Sequence, residues 1–173
     1  MTNEILFRGK RIDTGEWVEG TVEFHLIDGD LTKKDKKAFI TFEEMDSIGK
    51  VYRFTFEVDP KTVGQYTNMW DGFGNGIYAG DIVAYNNTNY CVGIIYGAFV
   101  LERIDDDLID YEDFPQNTFP CGCDETEFMG VCHDYLVSLF ELSSNEQDFE
   151  GALSCKVIGN RWDNPELLEI NNE

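Results

Sequence analysis

Three segments near the N-terminus alternate apolar and polar residues, and this alternation limits the fold more than any other feature of the chain. The segments are residues 17–24, 37–42 and 51–58. A period of two places one set of side chains on a buried face and the other in solvent, which is typical of a half-buried β-strand. The sequence therefore predicts a small antiparallel β unit, residues 1–59. It ends before Pro60, because proline cannot donate a ladder hydrogen bond in a central strand.

The rest of the chain predicts a second β unit, residues 60–173. Short strand patterns separated by turn residues recur along it, at residues 80–85, 90–96, 98–102 and 156–159. The glycine-rich residues 71–76 predict a tight hairpin loop, because glycine adopts positive φ without steric cost. Short strands joined by short turns favour a small SH3-like barrel, which also removes exposed sheet edges. The expected fold class is therefore mainly β, with two units.

The charge of the chain is strongly negative and unevenly distributed. The sequence has 34 acidic and 13 basic residues, a formal net charge of −21. Between Ile104 and Cys155 there are 14 Asp and Glu residues and no Lys or Arg. A phosphate backbone needs Lys and Arg to displace its counterions, so direct nucleic-acid binding is disfavoured. The lysines at positions 33, 34, 36 and 37 are expected at a solvated hairpin tip.

Most of this acidic segment, residues 105–147, is expected to be an insert in the SH3-like unit. Residues 134–142 are apolar enough to predict a strand within it. Ser143 and Glu146 have the spacing of a helix capping box, which predicts one short helix that runs through Leu153.

The insert also holds ligand types that suit tetrahedral zinc, at Cys121, Cys123, Cys132 and His133. Their spacing is unusual, because structural sites pair their ligands two to four residues apart. The adjacent Cys132 and His133 would also point to opposite faces of a strand. A zinc-stabilised module or a metal-dependent enzyme is therefore a lesser alternative, and no other cofactor is expected. Cys91 and Cys155 lie among apolar residues and are expected to be small buried groups.

Catalysis by a nucleophile needs a base beside it, and the chain has only two histidines, His25 and His133. No Gly-x-Ser-x-Gly motif is present. His25 lies within an ordinary strand pattern. The sequence therefore favours a non-enzymatic protein and offers no catalytic residue.

Six short motifs occur at both ends and in the middle of the chain. They are FRGKR at 7–11, GEWVEG at 15–20, VDP at 58–60, TVGQYT at 62–67, IYAGDIV at 77–83 and VIGNRWDNPELL at 157–168. In their residues and their order along the chain, these motifs resemble those of the YopX family of phage and prophage proteins. The resemblance does not cover the acidic insert. It implies a phage or prophage origin and an SH3-like second domain, but no reaction or ligand, because the family has no established biochemical activity.

Five polar residues within these motifs are candidates for a site: Gln65, Tyr66, Asp81, Asn160 and Asn164. Polar groups beside aromatic rings line many ligand grooves. The same side chains can instead bond neighbouring backbone groups and fix turns. We favour the turn-fixing role, because the motifs lie at predicted strand ends and turns.

Contacts with other proteins are the favoured function. The first unit has more aromatic residues than three strands can bury, which predicts a homo-oligomer; they are Phe39, Phe42, Tyr52, Phe54 and Phe56. The alternative partner is a basic host or phage protein, which the acidic segment would bind by imitating nucleic acid. No stretch is apolar enough to cross a membrane, and the N-terminus lacks the apolar core of an export signal. We therefore expect the chain in the cytoplasm of a host cell.

Overall fold

The computed structural model describes residues 5–26, 36–85, 87–95, 97–104, 136–139, 152–153 and 155–168. These residues form strands and two short 3₁₀ helices, so the fold is mainly β, as predicted. The chain divides into two units, residues 1–66 and 67–173. The division predicted after residue 59 lies at the end of a strand, whereas this one lies inside the next strand. No helix in the described part of the chain is long and apolar enough to span a membrane.

The first unit consists of four antiparallel strands and the start of a fifth. They are β1 (Phe7–Lys10), β2 (Trp17–Leu26), β3 (Lys36–Met45), β4 (Val51–Val58) and β5 (Gly64–Asp71). Neighbours in sequence from β1 to β4 pair with one another, and the first residues of β5 pair with β1. A 3₁₀ helix, Pro60–Thr62, connects β4 to β5. The three strands predicted from alternation are confirmed as β2, β3 and β4.

A small core closes the first unit where β1 packs against β3 and β4. Ala38, Ile40 and Val58 are fully buried there. Close approach of β1 depends on Gly9, because a Cβ at that position would lie closer than 3.0 Å to the Val58 side chain. This core occupies only one end of the sheet, so β2, β3 and β4 extend beyond it with apolar side chains in solvent.

The second unit is built around a five-stranded antiparallel sheet. The strands of this sheet are β7 (Asp81–Tyr85), β8 (Thr88–Ile95), β9 (Ala98–Arg103), β10 (Leu136–Ser138) and β12 (Lys156–Asn160). The unit also contains the short strands β6 (Gly76–Tyr78) and β11 (Ala152–Leu153). β7 to β10 form a meander, and β12 returns to pair with β7, so the order is β10-β9-β8-β7-β12. The sheet confirms that this part of the chain is a β unit, and its closure into an SH3-like barrel stays a prediction. β6 and β11 each pair with β5.

Both faces of β7 are covered, since the adjacent residues Ile82 and Val83 are each fully buried. On one side Val83 belongs to a cluster with Val92 and Leu101. On the other, Ile82 packs with Cys91 in a cluster that includes leucines of the second 3₁₀ helix, Pro165–Leu168. Because apolar side chains are buried on both faces of this sheet, its strands show little of the apolar–polar alternation seen in the first unit.

Two predictions for the second unit have clear outcomes. The glycine loop is confirmed: Gly74 has φ of +87°, and a strand begins again at Gly76. The helix predicted to run through Leu153 is wrong at its end, because Leu153 is in a strand, 1% exposed and paired with Asp71. The start of that helix, and nearly all of the acidic insert except β10, lie outside the described residues.

Candidate functional site

Three of the five candidate residues lie together at one end of the second unit. Asp81 and Asn160 are direct partners in the pairing of β7 with β12. The Asn160 N–H donates to the Asn164 Oδ1 at 3.3 Å, and the Asn164 N–H donates to the Asn160 carbonyl at 2.9 Å. The Asn160 Oδ1 also accepts from the N–H of Trp162 at 3.1 Å. These bonds hold the turn after β12, which is how an Asn side chain fixes a turn.

This turn packs directly on the step before β7. Gly80 has φ of +87°, and a Cβ there would lie closer than 3.0 Å to the Trp162 ring. The N–H of Arg161 donates to the Gly80 carbonyl at 2.9 Å. Asp81 is 1% exposed and accepts a hydrogen bond from the Tyr78 N–H at 2.8 Å. The space between β7 and the turn is therefore filled by Gly80, Asp81 and Trp162.

Replacing Asp81 by alanine is expected to lower the free energy of unfolding by about 1–3 kcal/mol. The reason is that the buried Tyr78 N–H would lose its acceptor. Asp81→Asn is the matched control, since it keeps an acceptor oxygen and should cost less. Urea unfolding of both variants measures the difference. Unchanged stability together with loss of an interaction would place Asp81 in a binding site instead.

The other two candidates, Gln65 and Tyr66, lie in the first unit on β5. Gln65 pairs with Phe7 of β1, and the Tyr66 N–H donates to the Leu6 carbonyl at 2.8 Å. Burial, and then the nearby Glu19 carboxylate, raises the pKa of Tyr66, so its hydroxyl stays protonated at neutral pH. Tyr66 thus contributes a backbone bond to the sheet of the first unit, and Gln65 lies in register with β1 in that sheet.

Cys91 in the second unit is a buried thiol of low reactivity. It is 4% exposed, and burial raises its pKa to about 11, with the Glu102 and Asp81 carboxylates acting in the same direction. Burial likewise raises the pKa of Glu102, while Arg161 opposes that shift. A thiol needs to ionise to act as a nucleophile, so Cys91 serves as a small core residue, as expected from the sequence.

The predicted zinc ligands Cys121, Cys123, Cys132 and His133 all lie outside the described residues. Within the described part of the chain, no group of three or more His, Cys, Asp or Glu side chains is placed to hold a metal ion. The zinc hypothesis therefore stays a prediction from sequence.

One face of the sheet formed by β2, β3 and β4 is aromatic. Phe42 and Phe54 are cross-strand partners with ring centroids 5.4 Å apart, and Phe42 and Phe56 rings lie 6.0 Å apart. Phe24 and Tyr52 lie on the same face and are 50% and 40% exposed. We call these five residues the aromatic face. Burial of such a surface lowers the free energy by about 25 cal/mol for each Å² of apolar area removed from water.

The opposite face of the same sheet is polar and concave. An open groove of about 830 Å³ lies there, lined mainly by polar side chains. Thr41 and Thr55 are hydrogen-bonded at 2.8 Å in its floor, and Arg53 donates to Glu43 at 2.7 Å beside them. These polar residues alternate with apolar positions along the same strands, and that alternation is the sequence signal that could have found the groove.

Comparisons with known proteins add no assignment. A scan against protein-family models gives no match, and a search of the curated proteins gives none.

Proposed function

We propose that this chain is a non-enzymatic protein of phage or prophage origin, of the YopX type, that works through protein–protein contacts and associates with itself. The observation that carries the proposal is the aromatic face of the first unit. Phe54 is 37% exposed, and Phe24 and Tyr52 on the same face are 50% and 40% exposed. Contiguous apolar surface of this kind marks an interaction site more often than a free surface.

The charge of the chain makes this surface distinctive. Each copy carries a formal net charge of −21, so two copies repel over most of their surfaces. Charged groups of both signs border the aromatic face. Glu44 is the cross-strand partner of Tyr52, and the Lys50 ammonium and the Arg11 guanidinium lie 4.8 and 4.0 Å from the centroids of the Tyr52 and Phe56 rings. Association through this face therefore brings apolar surface together inside a border of mixed charge rather than a uniformly negative one.

The size of the intact chain in solution, with and without a charge in the aromatic face, tests the proposal. Phe54→Glu is expected to shift the mass measured by light scattering toward a single chain, because it would bury a carboxylate at the contact. Ile94→Glu is the matched control, since Ile94 is 46% exposed on β8 of the second unit. Equal masses for the two variants would contradict the proposal, provided circular dichroism shows both folded.

A second candidate function rests on the acidic segment. The 14 carboxylates between Ile104 and Cys155, with no positive charge among them, could occupy a basic nucleic-acid-binding protein of the host or phage. Charge contacts of this kind weaken as salt screens them. The expected result is capture of such a protein from host lysate at low salt and its loss at moderate salt. Failure to capture any basic partner at low salt would remove this candidate.

A further inference from the structure

The open edge of β4 presents a backbone that is ready for pairing. β4 is the outermost strand of its sheet among the described strands. The Glu57 carbonyl points away from β3, because it accepts a hydrogen bond from the Ile12 N–H at 3.1 Å. Backbone groups alternate in direction along a strand, so Arg53 and Thr55 also direct their N–H and C=O groups to the open edge. Such a row of backbone groups is a template for another strand.

The usual protections of an edge strand are missing over residues 51–56. Natural edges carry lysine, proline, a bulge or inward-pointing charges. Residues 51–56 contain no lysine or proline, and the pairing of β3 with β4 runs from Ala38–Val58 to Met45–Val51 without a bulge. Their only charged side chain is Arg53, which is paired with Glu43 of β3 at 2.7 Å.

We propose that β4 of one copy pairs antiparallel with β4 of a second copy across a twofold axis, which joins the two sheets and their aromatic faces. This inference rests on the proposed self-association and specifies its contact. A twofold axis normal to the sheet passes through one residue pair and keeps each face on its own side. Opposed residues then share a face, so the pairing is isologous and closes as a dimer.

The side chains select one register. With Phe54 opposite Phe54 of the second copy, Tyr52 faces Phe56 and Arg53 faces Thr55, so aromatic rings meet on one face. A shift by one residue toward the start of the strand places Arg53 opposite itself, which is unfavourable. A shift the other way moves Glu57, whose carbonyl already accepts from Ile12, into the hydrogen-bonded pair next to the axis, whereas the selected register leaves it in the outer pair with Val51.

In this register Arg53 and Thr55 form the hydrogen-bonded pairs, which gives four backbone bonds across the axis. Phe54 is a non-hydrogen-bonded pair with itself, and such pairs have Cα atoms about 4.5 Å apart. The aromatic face of each copy then continues into that of the other. The backbone bonds fix the orientation, and the apolar contact supplies the main driving force.

A backbone test uses Thr55, whose N–H points to the open edge rather than to β3. Thr55→Pro removes that N–H and is tolerated at an edge position, so the fold should persist while the larger species is lost. Thr55→Ala is the matched control, because it also removes the Thr41 hydroxyl contact but keeps the N–H. Sedimentation of both variants and of the unaltered chain, with circular dichroism for folding, gives the readout.

A register test uses single cysteines. Phe54→Cys is expected to form a disulfide between copies under mild oxidation by oxidised glutathione, because the Cα separation fits disulfide geometry. Tyr52→Cys is the matched control on the same face, since the two copies of residue 52 would lie about 13 Å apart. Peptide mapping separates this disulfide from any formed by the native cysteines. Equal cross-linking of the two variants would overturn the register.

These experiments distinguish the β4 pairing from the proposed self-association in general. A single-chain mass for the unaltered protein removes both. Self-association that survives in folded Thr55→Pro, or that persists without a disulfide in Phe54→Cys, overturns the β4 pairing and leaves the proposed self-association in place. If Thr55→Pro does not fold, the cross-linking result decides.

Discussion

Replacing Asp71 by alanine is expected to lower the free energy of unfolding by about 3–5 kcal/mol, a large effect for one side chain. Asp71 is fully buried at the end of β5. Its Oδ1 accepts from the N–H groups of Phe73 at 2.9 Å and Asn75 at 2.8 Å. Its Oδ2 accepts from the Asn75 side chain and from the Val157 N–H, both at 2.9 Å. The substitution would leave several donors without an acceptor in the second unit.

Asp59→Ala is the matched control for Asp71→Ala. Asp59 also accepts from a backbone N–H, that of Lys61 at 3.0 Å, but it is exposed and its loss should cost only ~1 kcal/mol. Equilibrium denaturant unfolding of both variants provides the comparison. A loss at Asp71 no larger than at Asp59 would show that its network contributes little.

The pH dependence of the free energy of unfolding should also show the contribution of the Asp71 carboxylate. Burial works against the Asp71 charge, but the hydrogen bonds from Asn75, Val157 and Phe73 outweigh it and hold the pKa of Asp71 below its usual value of 3.8. An acid whose pKa is lowered by folding stabilises the protein above its unfolded pKa. That contribution is lost as the pH falls through the lower, folded value. The loss with acid should therefore be smaller in Asp71→Ala than in the unaltered chain.

Gly80→Ala is the second substitution with a large expected effect, about 2–6 kcal/mol. A side chain at φ of +87° is strained, which costs about 1–3 kcal/mol. The added methyl group would also lie closer than 3.0 Å to the Trp162 ring, and overpacking of this kind costs a further 1–3 kcal/mol or so. Thermal or denaturant unfolding measures the sum.

Gly74→Ala separates the two causes. Gly74 has the same φ of +87°, but nothing lies within 4 Å of the position its Cβ would take. Its substitution should therefore cost only the backbone strain. If Gly80→Ala and Gly74→Ala lose equal stability, the packing of Trp162 on Gly80 contributes nothing and the account of this turn is wrong.

The sequence predicts strands well where only one face of a sheet is buried. Residues 17–24 and 51–58 alternate clearly, because solvent covers the other face, and both became strands. β1 and β5 were not predicted. β1 is only four residues long, too short to show a period, and β5 carries polar residues whose backbone bonds the sequence does not reveal.

The end of the predicted helix failed for a tertiary reason. Ser143 and Glu146 supply a local helix signal, but Leu153 is drawn into the core of the second unit and pairs with Asp71, far away in sequence. The spacing of nearby residues gives no information about that distant partner. Burial of an apolar side chain and a strand pairing outweigh the weak preference of a short segment for helix.

The candidate site was predictable in part. The excess of aromatic residues in the first unit was visible in the sequence, and the structure places Phe42, Phe54 and Phe56 on one face. The open edge of β4 was not visible, because strand order depends on which strands find partners. The roles of Asp81 and Asn160 required geometry too, since the same residue types serve turns and ligand grooves.

Sedimentation of the intact chain at micromolar concentration, in low and in moderate salt, measures its self-association directly. We expect a mass above that of one chain in both, with no weakening of association by salt, because salt screens the repulsion between two chains of net charge −21. A single-chain mass at every concentration and salt would exclude self-association through the aromatic face.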